Sequence, residues 1–196
     1  MKFFVLVGAV LLSLAGVALY LDHRYAPDPV PMQVEGAAQP SAAPSTADAS
    51  AGAIFALSKV DQAGKSQAFA QWSGKLLVIN FWATWCAPCI EEMPMFAQVQ
   101  RAQSANGLQI IGIAADSVAN VQAFAAKMKI DYPLFADEAN AISFSKRLGN
   151  RLGLLPHTIA IAPNGQIVFN KIGKVTNEEL RALVHSFAPR ATVKPK

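Results

Sequence analysis

The stretch that decides the fold is LLVINFWATWCAPCIEEM, residues 76–93. Its first part, residues 76–81, is apolar and rich in β-forming residues, which predicts a short, buried central strand. From Pro88 onward the apolar residues recur with helical spacing, and a proline is tolerated in the first turn of a helix. The stretch therefore predicts a buried strand that leads into a helix, with Cys86 at the helix N-terminus.

Cys86 and Cys89 are the only two cysteines in the chain of 196 residues. A tetrahedral zinc site needs four ligands, and neither a second cysteine pair nor a histidine at short spacing completes one. Crosslinking so short a loop removes little entropy from the unfolded chain, which disfavours a purely structural disulfide. The pair therefore favours redox chemistry between the two thiols, in which they form a redox-active disulfide and no other cofactor is expected.

A helix N-terminus changes the chemistry of a thiol that lies there. Unpaired backbone N–H groups and the helix dipole both stabilise a negative charge, so we expect the pKa of the Cys86 thiol to be lowered. We predict that Cys86 is the exposed nucleophile that attacks a substrate disulfide, and that the more buried Cys89 resolves the mixed disulfide. The same exchange in reverse would donate a disulfide.

Several blocks of the sequence resemble the thioredoxin superfamily, and within it the membrane-anchored thiol-disulfide oxidoreductases related to TlpA and ResA. The blocks are NFWATWCAPC and EEMP (residues 80–94), YPLFAD (132–137), LLPHTI (154–159) and PNGQIV (163–168). The resemblance extends over residues 53–190. It implies an α/β, thioredoxin-like fold, with a central mixed sheet flanked by helices, an N-terminal extension and a central insertion.

The resemblance also implies how the site is built. It places a cis peptide bond between Leu155 and Pro156, facing the two sulfur atoms. In the family this segment and the residues around the cysteines contact an extended segment of the partner. The substrate-binding candidates that match here are Trp85, Ala87, Pro88, Leu155, Pro156 and His157. The position of His157 near the site comes from the resemblance alone, and we expect its charge to change at mildly acidic pH.

Two polar residues lie close to the cysteines in the sequence. Glu92 follows Cys89 by three residues and so projects from the same helix face. The resemblance implies that it tunes the thiols, as a proton acceptor or through the thiol pKa; the alternative is that it merely complements the helix dipole. Asn80 stands where cytosolic thioredoxins usually hold a buried aspartate, and we expect it to satisfy buried backbone groups. We expect Trp82 in the core and Trp85 at the surface.

Strands and helices alternate after the cysteines. A strand is predicted over residues 108–114, a helix over residues 118–128 and a hairpin around residues 163–165. The pattern T-x-x-E at residues 176–179 is a capping box, which predicts the start of the last helix.

The first 52 residues indicate where the chemistry takes place. The apolar stretch Phe3–Leu21 is long enough to cross a bilayer, which favours an uncleaved transmembrane signal anchor within residues 1–25 over a cleaved signal. Residues 26–52 are rich in Ala, Pro and Ser and are predicted to form a flexible linker. Residues 53–196 are predicted to form the thioredoxin-like domain. We therefore expect a single-pass protein of a bacterial inner membrane, with its catalytic domain in the periplasm.

The leading prediction is an enzyme that reduces the disulfides of specific client proteins. The resemblance implies a membrane electron donor of the DsbD/CcdA type, and clients such as apocytochrome c or copper-centre assembly proteins. A thiol oxidant, a thiol peroxidase and a copper metallochaperone that uses Cys86, Cys89 and His157 are the alternatives. The net charge of +4 comes without a basic cluster, so nucleic-acid binding is not expected.

Overall fold

A five-stranded mixed sheet forms the centre of the computed structural model, which describes residues 46–187. The strands are β1 (Ser58–Val60), β2 (Ser66–Ala68), β3 (Leu76–Trp82), β4 (Leu108–Ala114), β5 (Leu134–Ala136), β6 (His157–Ile161) and β7 (Ile167–Ile172). The helices are α1 (Thr46–Phe55), α2 (Ala87–Gln103), α3 (Val118–Met128), α4 (Ala141–Arg147) and α5 (Asn177–Phe187).

The order of the strands in the sheet is β5-β4-β3-β6-β7. Strands β3, β4 and β5 run parallel, whereas β6 is antiparallel to β3 and β7 is antiparallel to β6. Helix α3 connects β4 to β5, as a parallel pair requires. Strands β1 and β2 form a separate hairpin. The predicted α/β class, with a mixed sheet between helices, is confirmed.

Helices cover both faces of the sheet, which is why all seven residues of β3 are buried. Helices α2, α3 and α5 pack on one face, here called the α2 face. Helices α1 and α4 and the 3-10 turn Phe69–Trp72 pack on the other, here called the α4 face. Successive side chains of a strand point to opposite faces. Asn80 and Trp82 therefore lie on the α2 face, and Phe81 lies on the α4 face.

Most predicted elements lie where the sequence placed them. Strand β4 and helix α3 coincide with the predicted ranges. The capping box forms as expected: Thr176 Oγ1 accepts a hydrogen bond from the Glu179 N–H at 3.2 Å, and Glu179 Oε2 accepts one from the Thr176 N–H at 2.8 Å. Trp82 is fully buried and Trp85 is 70% exposed, which confirms both expectations.

The predicted boundary between linker and domain at residue 52 needs correction. Helix α1 runs from Thr46 to Phe55, and Ala51 and Ile54 pack into the core of the α4 face. Helix α1 therefore begins within the predicted linker, and Ala51 of that linker is buried in the core. The predicted anchor and the rest of the linker lie outside the described residues. Within residues 46–187, no helix is both long enough and apolar enough to span a membrane.

Candidate active site

Cys86 and Cys89 form a disulfide at the point where β3 passes into α2, with 1.97 Å between the two sulfur atoms. Cys86 is the N-cap residue of this 17-residue helix, and Pro88 lies in its first turn. Cys89 is fully buried and Cys86 is 6% exposed. The expected order of burial is therefore correct, but the expectation of an exposed Cys86 is wrong for this oxidised form. The reason is that Cys86 packs in the same apolar cluster as Cys89 and Met93.

Glu92 lies one turn after Cys89 and is only 1% exposed. Different elements hold its two oxygens: Oε1 accepts a hydrogen bond from Asn80 Nδ2 at 2.8 Å, and Oε2 accepts one from the Val175 N–H at 2.7 Å. Asn80 Nδ2 also donates to Thr158 Oγ1 at 3.0 Å. We call Glu92, Asn80 and Thr158 the carboxylate cluster. The prediction that Asn80 serves backbone groups is wrong, because its amide donates to two side chains.

Burial raises the pKa of Glu92 from 4.5 to about 7. The hydrogen bonds from Val175 and Asn80, and the charges of Lys174 and Lys171, lower the pKa but do not offset the burial. At neutral pH the carboxyl group is therefore divided between its protonated and ionised forms, which suits a group that accepts and returns a proton. A residue that only complemented the helix dipole would have a lowered pKa, so this alternative is disfavoured.

His157 follows Pro156, but its ring lies on the α4 face, away from the disulfide. The ring stacks on Phe81 with 5.5 Å between the centroids. Its Nδ1 is hydrogen-bonded to Ser145 Oγ at 2.8 Å, and its Nε2 to Asn170 Oδ1 at 3.0 Å. Burial lowers the pKa of His157, and the bond to Asn170 opposes this only in part. The expectation that the ring joins the substrate site is therefore wrong, because the alternation of side chains along β6 turns it to the other face.

The other substrate-binding candidates lie at one edge of the sheet. Trp85, Ala87 and Pro88 are exposed. Leu155 is half-buried, Pro156 is buried, and the peptide bond between them is cis, as the resemblance implied. Because β6 is antiparallel to β3, the residues that precede β6 and the residues that follow β3 meet at the same edge.

A buried aspartate that was not predicted holds the turn before the cysteines. Asp116 Oδ2 accepts hydrogen bonds from the N–H and the hydroxyl of Thr84, and its Oδ1 accepts from the Ser117 N–H and Asn120 Nδ2. Burial disfavours the ionised form, but these hydrogen bonds together hold the pKa of Asp116 below its usual value. The carboxylate thus ties the end of β4 to the turn that leads to Cys86. An acidic residue after an apolar strand is too common to reveal this contact from sequence.

Among residues 46–187, no group of three His, Cys, Asp or Glu side chains could hold a metal ion. The set of Cys86, Cys89 and His157 considered for copper is not assembled, because both ring nitrogens of His157 are hydrogen-bonded on the α4 face. The metallochaperone alternative loses its third ligand for this reason.

A cysteine pair at the junction of a central strand and a helix, with a cis-proline immediately before the neighbouring antiparallel strand, defines a thiol-disulfide oxidoreductase of the thioredoxin superfamily. The model of the Redoxin family matches residues 36–184. The chain belongs to this family.

The sequences of related proteins agree with this class. The chain is 27% identical over 136 residues to the thiol-disulfide oxidoreductase ResA of Geobacillus thermodenitrificans, which covers 69% of the chain and 75% of the relative. It is 29% identical over 130 residues to the ResA of Bacillus cereus, covering 66% and 73%. The chain is therefore a ResA-like oxidoreductase.

Solved structures show the same architecture. A thiol:disulfide interchange protein of the thioredoxin family from Chlorobium tepidum aligns with a TM-score of 0.61 at 27% identity, covering 67% of this chain and 92% of the other. A thioredoxin-related protein from Neisseria meningitidis serogroup B aligns with a TM-score of 0.55 at 31% identity, covering 63% and 92%. The expected fold and the expected enzyme class are confirmed.

Proposed function

We propose that the protein reduces disulfides of specific partner proteins in the bacterial periplasm, and that residues 1–25 anchor it in the inner membrane. The observation that carries the proposal is the disulfide at the N-terminus of α2, with the partly ionised carboxyl group of Glu92 one turn after Cys89. The ResA relatives support the exchange chemistry. The length and apolarity of Phe3–Leu21 support the anchor.

The reaction begins from the reduced protein. The Cys86 thiolate attacks one sulfur of the client disulfide, which forms a mixed disulfide and releases the other client sulfur as a thiolate. The Cys89 thiolate then attacks the Cys86 sulfur, so that the Cys86–Cys89 disulfide forms and the second client sulfur leaves. Two electrons pass to the client, and its two thiolates take up two protons. The dipole of α2 stabilises Cys86 as a thiolate, both as the nucleophile and as the leaving group in reverse.

In this proposal, Glu92 accepts the proton that the Cys89 thiol loses in the second step. Cys89 is fully buried, so its thiol needs an acceptor inside the protein before it can attack. A carboxyl group with a pKa of about 7 is ionised in a large fraction of molecules at neutral pH and accepts that proton. The hydrogen bonds from Asn80 and Val175 hold the acceptor in place.

The oxidised protein must be reduced again before the next turnover, and the periplasm supplies no general thiol reductant. We propose a membrane protein of the DsbD/CcdA type as the electron donor. Apocytochrome c or copper-centre assembly proteins are the proposed clients, on the basis of the resemblance to the TlpA and ResA group.

A trapping experiment tests the proposal. The full chain with Cys89→Ser is expressed in its native host, where Cys86 attacks clients but the mixed disulfide is no longer resolved. Mass spectrometry of the trapped complexes should identify periplasmic proteins with cysteine pairs. The matched control is Cys86→Ser, which keeps Cys89 but lacks the nucleophile and should trap none of them. Equal trapping by the two variants would contradict the assigned roles.

The direction of electron flow is tested separately by the reduction potential. A reductant of clients should have a potential well below about −150 mV, whereas strongly oxidising proteins lie near about −120 mV. Equilibration of the purified protein with glutathione buffers, followed by thiol alkylation, measures this value. A potential above about −150 mV would assign the protein as a thiol oxidant instead.

A further inference from the structure

The loop between α4 and β6 lies at the edge of the sheet that carries the disulfide. Strand β6 is antiparallel to β3, with His157 opposite Phe81. The chain that enters β6 through Leu154, Leu155 and Pro156 therefore reaches the same edge as the chain that leaves β3 toward the cysteines. A client held in an extended form beside the disulfide is therefore expected to meet this segment.

A single buried side chain holds the segment by its backbone. Asn150 is 0% exposed. Its Nδ2 donates a hydrogen bond to the Leu154 C=O at 2.7 Å, and its Oδ1 accepts one from the Leu154 N–H at 3.1 Å. One amide group thus satisfies both backbone groups of Leu154, while the Leu154 side chain remains 51% exposed. The contact fixes the path of the backbone immediately before Leu155 and Pro156.

Asn150 is held in turn by a chain of hydrogen bonds on the α4 face. Its Nδ2 also donates to Ser145 Oγ at 2.8 Å. Because Ser145 Oγ accepts this bond, its hydroxyl is free to donate to His157 Nδ1, and His157 Nε2 then donates to Asn170 Oδ1. Asn170 Nδ2 donates to the Leu148 C=O at 2.8 Å. We call Asn150, Ser145, His157 and Asn170 the histidine cluster. All four side chains are hydrogen-bonded, and a fully satisfied buried network of this kind is rigid.

The loop also packs tightly against its neighbours. Gly149 and Gly153 have φ values of 105° and 69°, in the left-handed region where side chains are rarely tolerated. A Cβ atom at Gly149 would lie 2.9 Å from Asn170 Nδ2, and one at Gly153 would lie 2.9 Å from Ile142 Cγ2. Leu152, of which 77% faces solvent, lies between these two glycines.

We propose that Asn150 is a positioning residue for client binding: through the backbone of Leu154 it fixes the segment that receives an extended client beside the disulfide. It acts on the affinity for a polypeptide substrate and leaves the reactivity of Cys86 unchanged. The proposal rests on the proposed function, because it assumes that the clients are proteins. Nothing in the local sequence pattern points to Asn150, which lies far along the chain from the cysteines.

The test compares two disulfide substrates with the reduced protein and with its Asn150→Ala variant. Dithiobis(nitrobenzoic acid) is small, and the first phase of its reaction reports on Cys86 alone, whereas insulin presents disulfides within a polypeptide. We expect the rate with the small disulfide to stay within about twofold, and the KM for insulin to rise about tenfold with an unchanged maximal rate. Hydrogen exchange of the Leu154 amide should become faster, because its acceptor is lost.

A matched control and two further variants keep the result interpretable. Asn164→Ala removes an exposed asparagine that bonds Gln166 in the β6–β7 turn, at the opposite end of β6. This variant should react with both substrates as the unaltered protein does. If Asn150→Ala does not fold, Asn150→Asp keeps the acceptor for Leu154 but loses both donated bonds, and Ser145→Ala removes the support behind it. Both should raise the insulin KM selectively.

Two results would overturn the inference: equal losses with both substrates, or no loss with insulin. Failure of the unaltered protein to reduce insulin at all is a different outcome, and it would count against the proposed function and not against Asn150 in particular.

Discussion

A buried polar cluster lies on each face of the sheet, and consecutive residues of β6 contribute to both. Thr158 belongs to the carboxylate cluster on the α2 face, and His157 belongs to the histidine cluster on the α4 face. The pKa of Glu92 is raised and the pKa of His157 is lowered. Burial is the main cause of both shifts, since it penalises the charged form, which is the deprotonated carboxyl group and the protonated imidazole.

The two clusters also differ in how completely they are paired. Every side-chain nitrogen and oxygen of the histidine cluster has a hydrogen-bond partner. On the α2 face, Asn80 Oδ1, Trp82 Nε1 and Tyr132 Oη are buried and have no partner among residues 46–187. A fully satisfied buried network is rigid, whereas a buried carboxyl group with a pKa of about 7 exchanges its proton near neutral pH. The α2 face is thus suited to moving a proton, and the α4 face to holding the shape of a loop.

The largest expected effect concerns the pH dependence of stability on the α2 face. The folded state binds the Glu92 proton more tightly than the unfolded state, so this contribution is fully present below about pH 4.5 and is lost as the pH rises through about 7. The loss amounts to about 3 kcal/mol. Urea unfolding of Glu92→Gln should lack this dependence. If the variant lost stability with rising pH as the unaltered protein does, the raised pKa would belong to another group.

Glu92→Gln should also slow the resolution step, by up to about a hundredfold. When the reduced protein reacts with dithiobis(nitrobenzoic acid), the first phase reports attack by Cys86 and the second reports resolution by Cys89. Glu92→Gln should slow the second phase only, and the unaltered rate of that phase should rise with pH through about 7. The matched control is Glu91→Gln, an adjacent exposed glutamate paired with Lys174, which should leave both phases unchanged. Slowing of the first phase would show that Glu92 acts in the attack by Cys86 and not in the resolution by Cys89.

A smaller pH dependence of stability, with the opposite sign, is expected on the α4 face. His157→Gln removes a buried ring with two hydrogen bonds, which should cost about 2 kcal/mol at neutral pH. Because the folded-state pKa of His157 is lowered, the stability it contributes is present above about pH 6.5 and is lost as the pH falls through the folded-state pKa. Below this pH, the free energy of unfolding of the variant should therefore depend less on pH than that of the unaltered protein. An unchanged acid dependence would show that the two faces do not differ in this way.

The smallest effect on stability is expected at Trp85, which belongs to neither cluster. Trp85 is 70% exposed, so Trp85→Ala should change the free energy of unfolding by less than about 0.5 kcal/mol. If Trp85 contacts clients, the KM for insulin should rise about threefold while the reaction with the small disulfide is unaffected. Stopped-flow oxidation of the reduced protein by both substrates measures the difference. A large loss of stability would mean that Trp85 supports the core instead.

Much of the site could be predicted from sequence because its signals are local. The strand, the turn and the helix start follow from residues 76–93, and the cis bond before Pro156 follows from a short matching block. The partners of Asn80 could not be predicted in this way. Its amide meets Glu92 and Thr158, from α2 and β6, and only the polar residue within an apolar strand indicated that some partner was required.

His157 marks the limit of prediction from resemblance. The resemblance placed its backbone correctly beside Pro156, but the face that a strand residue occupies depends on its parity within the strand. That parity is set by the register of β6 against β3, which is a tertiary contact. Asn150 and Asp116 escaped prediction for the same reason, since their partners are brought close by neighbouring elements and not by sequence spacing.

The sequence by itself determined the reactive unit: two thiols two residues apart at a helix start, because chain connectivity alone fixes their distance and their position on the dipole. Only the tertiary structure decided which groups serve that unit. Burial between the sheet and α2 raises the pKa of Glu92, and Ser145 of α4 bonds Asn150, which holds the backbone of Leu154 just before Pro156.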